Sequence, residues 1–394
     1  MNDRPTQWLL NLGHAIDHMF LLIFATAVTR IAADLGLARW EDLMPYGVAA
    51  FFFFGIGSLP AGRLGDLWGR RPMMVVFFLG MGASALLVGA TQTPLQLGLA
   101  LALMGCFASI YHPVGIPMLV QGVARPGWTI GVNGLVGNLG VALAAVVTGY
   151  FVKYHGWRAA FVVPGLLSLL AGGLFWLLAT REAAPPARKR AAAAAPHGFS
   201  MARLFAVMTL AATSGSLLFN FSTNSNYELL ADRLRAISQD PAQIGLLLAA
   251  VYTLASLTQL LVGYLIDRHP LKRLFVSVLV LQAAFLVLAT ALDGWAFYAA
   301  QFLFMAAIFG AIPFTDAMVV RFVDDATRSR VSGMRMAVSF GASSLAVWLI
   351  GPVVKQAGFD TLLWIMVLCS LATLVAATGM PRTPRPAAPA AARA

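Results

Sequence analysis

Charge is scarce in this sequence. Asp, Glu, Lys and Arg make up 11% of the 394 residues, against 59% of hydrophobic types. A water-soluble domain carries about 25% charged residues. This composition cannot furnish a soluble surface, so lipid must cover much of the exterior. Cysteine is rarer still. Cys106 and Cys369 are the only two, each within an apolar run and without a Cys-x-x-Cys, which excludes a disulfide framework and predicts two buried, inert thiols. A phosphate-cradling P-loop is absent, which argues against ATP as an energy source within the chain. No nucleophile–base pair stands outside the apolar runs and no cofactor motif is present, so the chain does not read as an enzyme. The net charge of +11 is spread over short loops between apolar runs. Nucleic acid needs a contiguous basic face, and none is apparent.

Hydrophobic length is what the sequence has. Crossing about 30 Å of hydrocarbon takes about 20 apolar residues. Twelve runs qualify, near 8–30, 44–66, 73–91, 95–122, 129–152, 158–180, 203–229, 242–266, 273–292, 295–321, 332–354 and 360–379. The first is too long for the core of a signal peptide and lacks a small-x-small cleavage site, so it reads as a retained span. Between the sixth and seventh runs, residues 181–200 form a basic, Ala- and Pro-rich linker, and residues 381–394 read as a disordered Pro/Ala tail. Trp8, Trp40, Trp68, Trp128, Trp157 and Trp295 fall near span ends, as interface anchors do. Phe51 to Phe54 cover a helix all round and read as packing.

The two halves match. Gly62-Arg63-Leu64-Gly65-Asp66-Leu67-Trp68-Gly69-Arg70-Arg71 follows the second run, and Gly263-Tyr264-Leu265-Ile266-Asp267-Arg268, with Lys272 and Arg273 after it, follows the eighth. Asp66 and Asp267 are 201 positions apart; Pro113 and Pro313 are 200 apart, Gly140 and Gly341 201, Gly156 and Gly358 202. A near-constant offset predicts an all-α membrane protein of twelve transmembrane helices in two pseudo-symmetric six-helix bundles, residues 1–180 and 201–380. Placing the termini and even-numbered loops on one side puts all of the 27 Lys and Arg there except Arg30, Arg39, Lys153, Arg158, Arg233, Arg235 and Lys355. The positive-inside rule then puts both termini in the cytoplasm.

The first of these stretches resembles the loop motif G-x-L-x-D-x-x-G-R-R between spans two and three of the major facilitator superfamily. Gly62, Leu64, Asp66, Gly69, Arg70 and Arg71 match it, and Asp267-Arg268 is similar to the weaker second copy. The likeness extends over essentially the whole chain. Within that superfamily, Tyr111-His112-Pro113-Val114-Gly115 resembles the F-H-P-x-G of fosmidomycin-resistance-type exporters. His14-Ala15-Ile16-Asp17-His18 resembles their H-x-x-N-D, and Gly137-Asn138-Leu139-Gly140 their G-N-x-G. The Asp arrives one position early, and Ala144-Ala145 stand where many antiporters have Gly-Pro. The resemblance implies an inner-membrane transporter working as a monomer, with the first, fourth, seventh and tenth spans lining a central cavity.

Ionisable groups inside spans are the site candidates, because charge at membrane depth is costly. His14, Asp17 and His18 share one helix face by i, i+3 and i, i+4 spacing. They lie roughly 9–15 Å from the cytoplasmic end of the first span. Tyr111 and His112 in the fourth span and Asp316 in the tenth can share that layer. A carboxylate beside imidazoles can carry a proton near neutral pH. Asp17 is therefore read as the proton-coupling group, with His14, His18 and His112 as its relay or as substrate partners. A metal reading competes: the same three His with Asp17 can ligate a transition metal, with Met19 and Met118 as soft additions. No metal is assigned at this stage. The polar run from Asn220 through Asn224 to Glu228 in the seventh span predicts either a water-filled opening or hydrogen bonds to neighbouring helices. Gly62, Asp66, Gly69, Arg70 and Arg71, with Asp267, Arg268 and Arg273, are read as gating residues that latch the halves on the cytoplasmic side.

The function expected is proton-coupled export of a small organic solute by alternating access. A metal or nutrient importer or uniporter is the alternative, and a membrane sensor or scaffold that transports nothing is the alternative of another class.

Overall fold

A computed structural model describes residues 4–121, 123, 126–180, 201–266, 268–322 and 325–380. The expectations for Asp267, for the linker 181–200 and for the tail 381–394 lie outside the described residues. Helices account for the fold: α1 (Arg4–Asp34), α2 (Val48–Trp68), α3 (Arg70–Ala90), α4 (Pro94–Ala108), α5 (Ile116–Leu119), α6 (Pro126–Tyr154), α7 (Trp157–Leu178), α8 (Met201–Arg233), α9 (Pro241–Ile266), α10 (Leu271–Thr290), α11 (Gly294–Phe322) and α12 (Asp325–Thr378). No strand occurs among the described residues.

Eleven described segments are long and apolar enough to cross a bilayer, and the last of them, Ala337–Thr378, has 42 residues. At 1.5 Å per residue it would run about 63 Å, twice the hydrocarbon thickness. Gly358, with φ 75°, breaks it, so α12 supplies the eleventh and twelfth spans. Gly156, with φ 85°, makes the same break between α6 and α7. A positive φ is open to glycine and costly to other residues.

The first bundle packs α1 on α6, α3 on α7 and α2 on α4. The second packs α8 on α12, α9 on α11 and α10 on both α11 and α12. Polar contacts repeat between them. Arg71, opening α3, donates to the Trp176 carbonyl near the end of α7. Lys272, opening α10, donates to the Thr378 and Met380 carbonyls, at 2.5 and 2.8 Å, at the end of α12. Arg158 of α7 pairs with Asp34 of α1, and Asp360 of α12 pairs with Arg233 of α8. The second pair occupies the place of the first with its charges exchanged.

The bundles meet through α6 against α9 and α2 against α12. One end of that interface is strapped. Lys153 pairs with Asp240, Lys355 pairs with Asp42, and Trp40 stacks on Phe359 with ring centroids 6.1 Å apart. A Cβ on Gly351 would run into the Glu41 carbonyl. No described atom lies within 4 Å of where a Cβ would stand on Gly131, Gly134, Gly263 or Gly341.

Two expectations change in detail. Trp157 is buried and donates from Nε1 to Asp34 at 3.1 Å, so it anchors α7 to α1 rather than to the interface. Cys106 is exposed on its helix. In an apolar span the bilayer, not the protein, covers such a residue.

Candidate functional site

Pro113 shapes the fourth span. A proline has no N–H to continue the ladder and its ring crowds the preceding turn. α4 accordingly stops at Ala108, and Tyr111–Gly115 widens into a π turn before α5 resumes. Such turns re-aim side chains and recur at functional sites. Here the turn presents Tyr111 and His112 to α1.

Four ionisable side chains converge there. The ring centroids of His14 and His18 are 4.7 Å apart, those of His14 and His112 5.1 Å, and those of His18 and His112 5.8 Å. Asp17 Oδ2 lies 3.6 Å from His112 Nε2 and the Asp17 side chain is 0% exposed. Among the described residues, neither Asp17 oxygen has a hydrogen-bond partner, and nor does His14 Nε2. Phe54 of α2 closes one side, edge-on to His112 at 5.8 Å.

His14 is held from behind. Its Nδ1 lies 2.8 Å from the Asn133 carbonyl oxygen. A carbonyl only accepts, so Nδ1 carries the proton and Nε2 keeps its lone pair. Tyr111 stacks on the His14 ring at 4.7 Å and donates its hydroxyl to the Leu10 carbonyl at 2.8 Å. Asn133 Nδ2 donates to that hydroxyl and to Asn11 Oδ1, both at 2.8 Å. The ring lies over Gly137, where a Cβ would stand 2.6 Å from it.

The first-span face and the fourth-span pair thus come together as the sequence predicts. Asn138 is buried on α6, one residue beyond Gly137. Asn220 and Asn224 lie in the second bundle instead. Asn220 Nδ2 donates to the Ser216 carbonyl at 2.9 Å and to Ser343 Oγ of α12 at 2.8 Å. Asn224 Nδ2 donates to the Asn220 carbonyl at 3.1 Å. Both are buried; Asn220 is tied to α12, while Asn224 Oδ1 has no hydrogen-bond partner among the described residues. Asp316 belongs to α11, and its side chain lies outside the described residues.

The gating residues divide. Gly62 and Gly65 lie against Pro113 and Val114 of the π turn. Gly69, with φ 93°, joins α2 to α3. Arg70 donates to Gln121 at 3.3 Å and Arg71 to Trp176, both within the first bundle. Asp66 is exposed. Arg268 covers the Tyr264 ring at 3.4 Å, and Arg273 lies in the first turn of α10.

Sequence reasoning missed Asn11 and Asn133 as site residues. Asn11 lies three residues before His14, on the same face, and that spacing was available as a signal. Glu228 of α8 stood in the polar run but was not singled out. It lies beside Thr29 of α1, with one carboxylate oxygen buried and unpartnered.

A family model described as the Major Facilitator Superfamily matches residues 10–231 and 204–394. Puromycin resistance protein pur8 of Streptomyces alboniger is 33% identical over 151 residues, 37% of this chain and 29% of that protein. The chain also spans only 36% of a probable hexose phosphate transport protein of Chlamydia pneumoniae, at 28% identity. Multidrug resistance protein MdtG of Citrobacter koseri is 24% identical over 338 residues, 81% of this chain and 82% of that protein. Among solved structures, a D-xylose–proton symporter superposes with a TM-score of 0.77 at 13% identity, over 97% of this chain and 98% of that one. A bacterial homolog of the human lysosomal transporter Spinster superposes with a TM-score of 0.71 at 13% identity, over 95% of each chain. At such identities these structures speak for the fold alone, and it is the fold built above. The chain belongs to the Major Facilitator Superfamily.

Proposed function

We propose that this chain exports a small organic solute across the inner membrane in exchange for protons, by alternating access between its two bundles. The observation that carries the reading is the strapping of the two bundles at one end of their interface, by Lys153–Asp240 and Lys355–Asp42. The excess of Lys and Arg on the side of the termini supports a cytoplasmic position for them, with the strapped end facing outward. In this state an exported solute enters from the cytoplasm.

Asp17 is the coupling group, and His14, His18, Tyr111 and His112 are its partners, with Asn138 on the same bundle. Asn220, Asn224 and Asp316 face the solute from the second bundle once the interface rearranges. Asp66 stands exposed in this state, as an undone latch would. Gly62 and Gly65 against the π turn link the motif to the cluster, so a shift of His112 reaches the gate through α2. Gly69, Arg70, Arg71, Asp267, Arg268 and Arg273 close the cytoplasmic side in the opposite state. The names of pur8 and MdtG, a puromycin and a multidrug resistance protein, favour export over import. The unit is a monomer.

The test is flux. Compounds to which a deletion strain becomes hypersensitive are offered to proteoliposomes under an imposed pH gradient. The expected result is solute-dependent proton movement that Asp17→Asn abolishes. Proton movement that survives this change intact removes Asp17 from the mechanism, and a deletion strain with unaltered sensitivities argues against export.

A further inference from the structure

We infer that His14, His18 and His112, with Asp17 beside His112, bind a divalent transition-metal ion of the zinc type. The three imidazoles offer nitrogen atoms that all lie within 4.8 Å of one another. In a tetrahedral site with bonds near 2.0–2.1 Å, ligand atoms sit about 3.4 Å apart. Asp17 Oδ2 and His112 Nε2, at 3.6 Å, already stand close to that edge. The widest imidazole pair must close by at most roughly 1.4 Å, and Asp17, outside that set of three, must move further to join it.

Two unmet groups point to a cation. His14 Nε2 and both Asp17 oxygens are buried without hydrogen-bond partners among the described residues. Buried polar atoms left without partners are costly in a dry interior, and a cation bound among the imidazoles would engage His14 Nε2 and offset the Asp17 charge. His14 is already set up as a ligand. Its Nδ1–H donates to the Asn133 carbonyl, the outer contact that orients metal-bound histidines and fixes the tautomer. The donor set selects the ion. Imidazole with a carboxylate suits zinc, cobalt or nickel, whereas magnesium and calcium call for oxygen ligands. The supporting scaffold is rigid, because Tyr111, Asn133 and Asn11 lock one another by hydrogen bonds of 2.8 Å.

This goes beyond the transport reading. Metal binding is measured on the protein alone, with no solute and no gradient, so either can fail without the other. The full chain is purified in detergent, stripped with a chelator and titrated with Co2+. The expected result is one Co2+ per chain with the visible absorption of tetrahedral cobalt, displaced by Zn2+. His14→Ala, His18→Ala and His112→Ala should each weaken binding by about tenfold or more, while His155→Ala on the exposed loop leaves it unchanged. Should the alanine variants fail to fold, the unaltered chain still decides: no tetrahedral band overturns the proposal. A band that persists in folded cluster variants overturns it as well.

Discussion

Gly149 of α6 and Gly245 of α9 face each other across the two bundles. A Cβ on Gly149 would stand 2.5 Å from the Pro241 carbonyl oxygen, and one on Gly245 2.5 Å from that of Ala145. Backbone contact of this kind is how helices associate in lipid, where apolar burial supplies no drive. It also makes the strapped end intolerant of bulk. Gly245→Leu is expected to prevent closure there, biasing the protein toward the other state. Thiol labelling of a cysteine at Tyr154, in a background lacking Cys106 and Cys369, should become faster, and transport should fall at least about tenfold, the effect of 1.4 kcal/mol on an equilibrium.

Lys153 and Asp240 lie on the surface at the same end. The ammonium beside Asp240 holds that carboxyl below the usual carboxylate range. A group with a lowered value in the strapped state favours that state at neutral pH. The contribution is lost as pH falls below about 3.9, the ordinary value, and through the lowered one. Asp240→Asn should mimic acid at pH 7, opening the strapped end by at most several-fold, since exposed pairs are weak. Asp240→Lys with Lys153→Asp should restore it. Inter-bundle spin-label distances check both.

The exchanged ion pairs differ in weight. Arg233 is 12% exposed and holds both Asp293 and Asp360, whereas Arg158 and Asp34 are 34% and 42% exposed. Arg233→Ala is expected to cost about 1–3 kcal/mol, and Arg158→Ala about 0–1 kcal/mol, read as melting temperature in detergent. Asp34→Arg with Arg158→Asp should recover only part of the loss, because Trp157 Nε1 loses its acceptor.

Gly137→Ala and Gly140→Ala separate site from scaffold. The new methyl at 137 meets the His14 ring, which yields only by loosening its Asn133 contact, whereas at 140 it meets the Ala15 backbone, which cannot yield. Gly140→Ala should destabilise the protein by about 1–3 kcal/mol. Gly137→Ala should cost less, about 0.5–1.5 kcal/mol, yet lower coupled flux by about tenfold or more, since a misplacement of 1 Å can cost that much.

Much of this was legible in the sequence, for physical reasons. Lipid demands long apolar helices, so the spans could be counted, and the duplication left its offset in Gly156 and Gly358, both of which prove to have positive φ. The His14–Asp17–His18 face follows from helical spacing alone. Its meeting with His112 needed only the adjacency of the first and fourth spans. Asn133 was not legible as a partner, because its backbone carbonyl, not its side-chain type, holds His14. The burial of Asn220 and Asn224 was equally hidden: it depends on the rotation of α8 toward Ser343 of α12, which no pattern in α8 encodes. The strap was hidden too, since Asp42 and Lys355 lie 313 residues apart in the chain.

The rocking of the bundles is tested most directly on the α6–α9 pair. Spin labels at Tyr154 and Gln243 report the strapped end, and labels at Trp128 and Tyr264 the loop-motif end, all at exposed positions. On switching between Asp17 and the Asp17→Asn variant, or on stepping pH, one distance should lengthen as the other shortens. Distances that stay fixed, or that change in the same sense, would contradict alternating access in this protein.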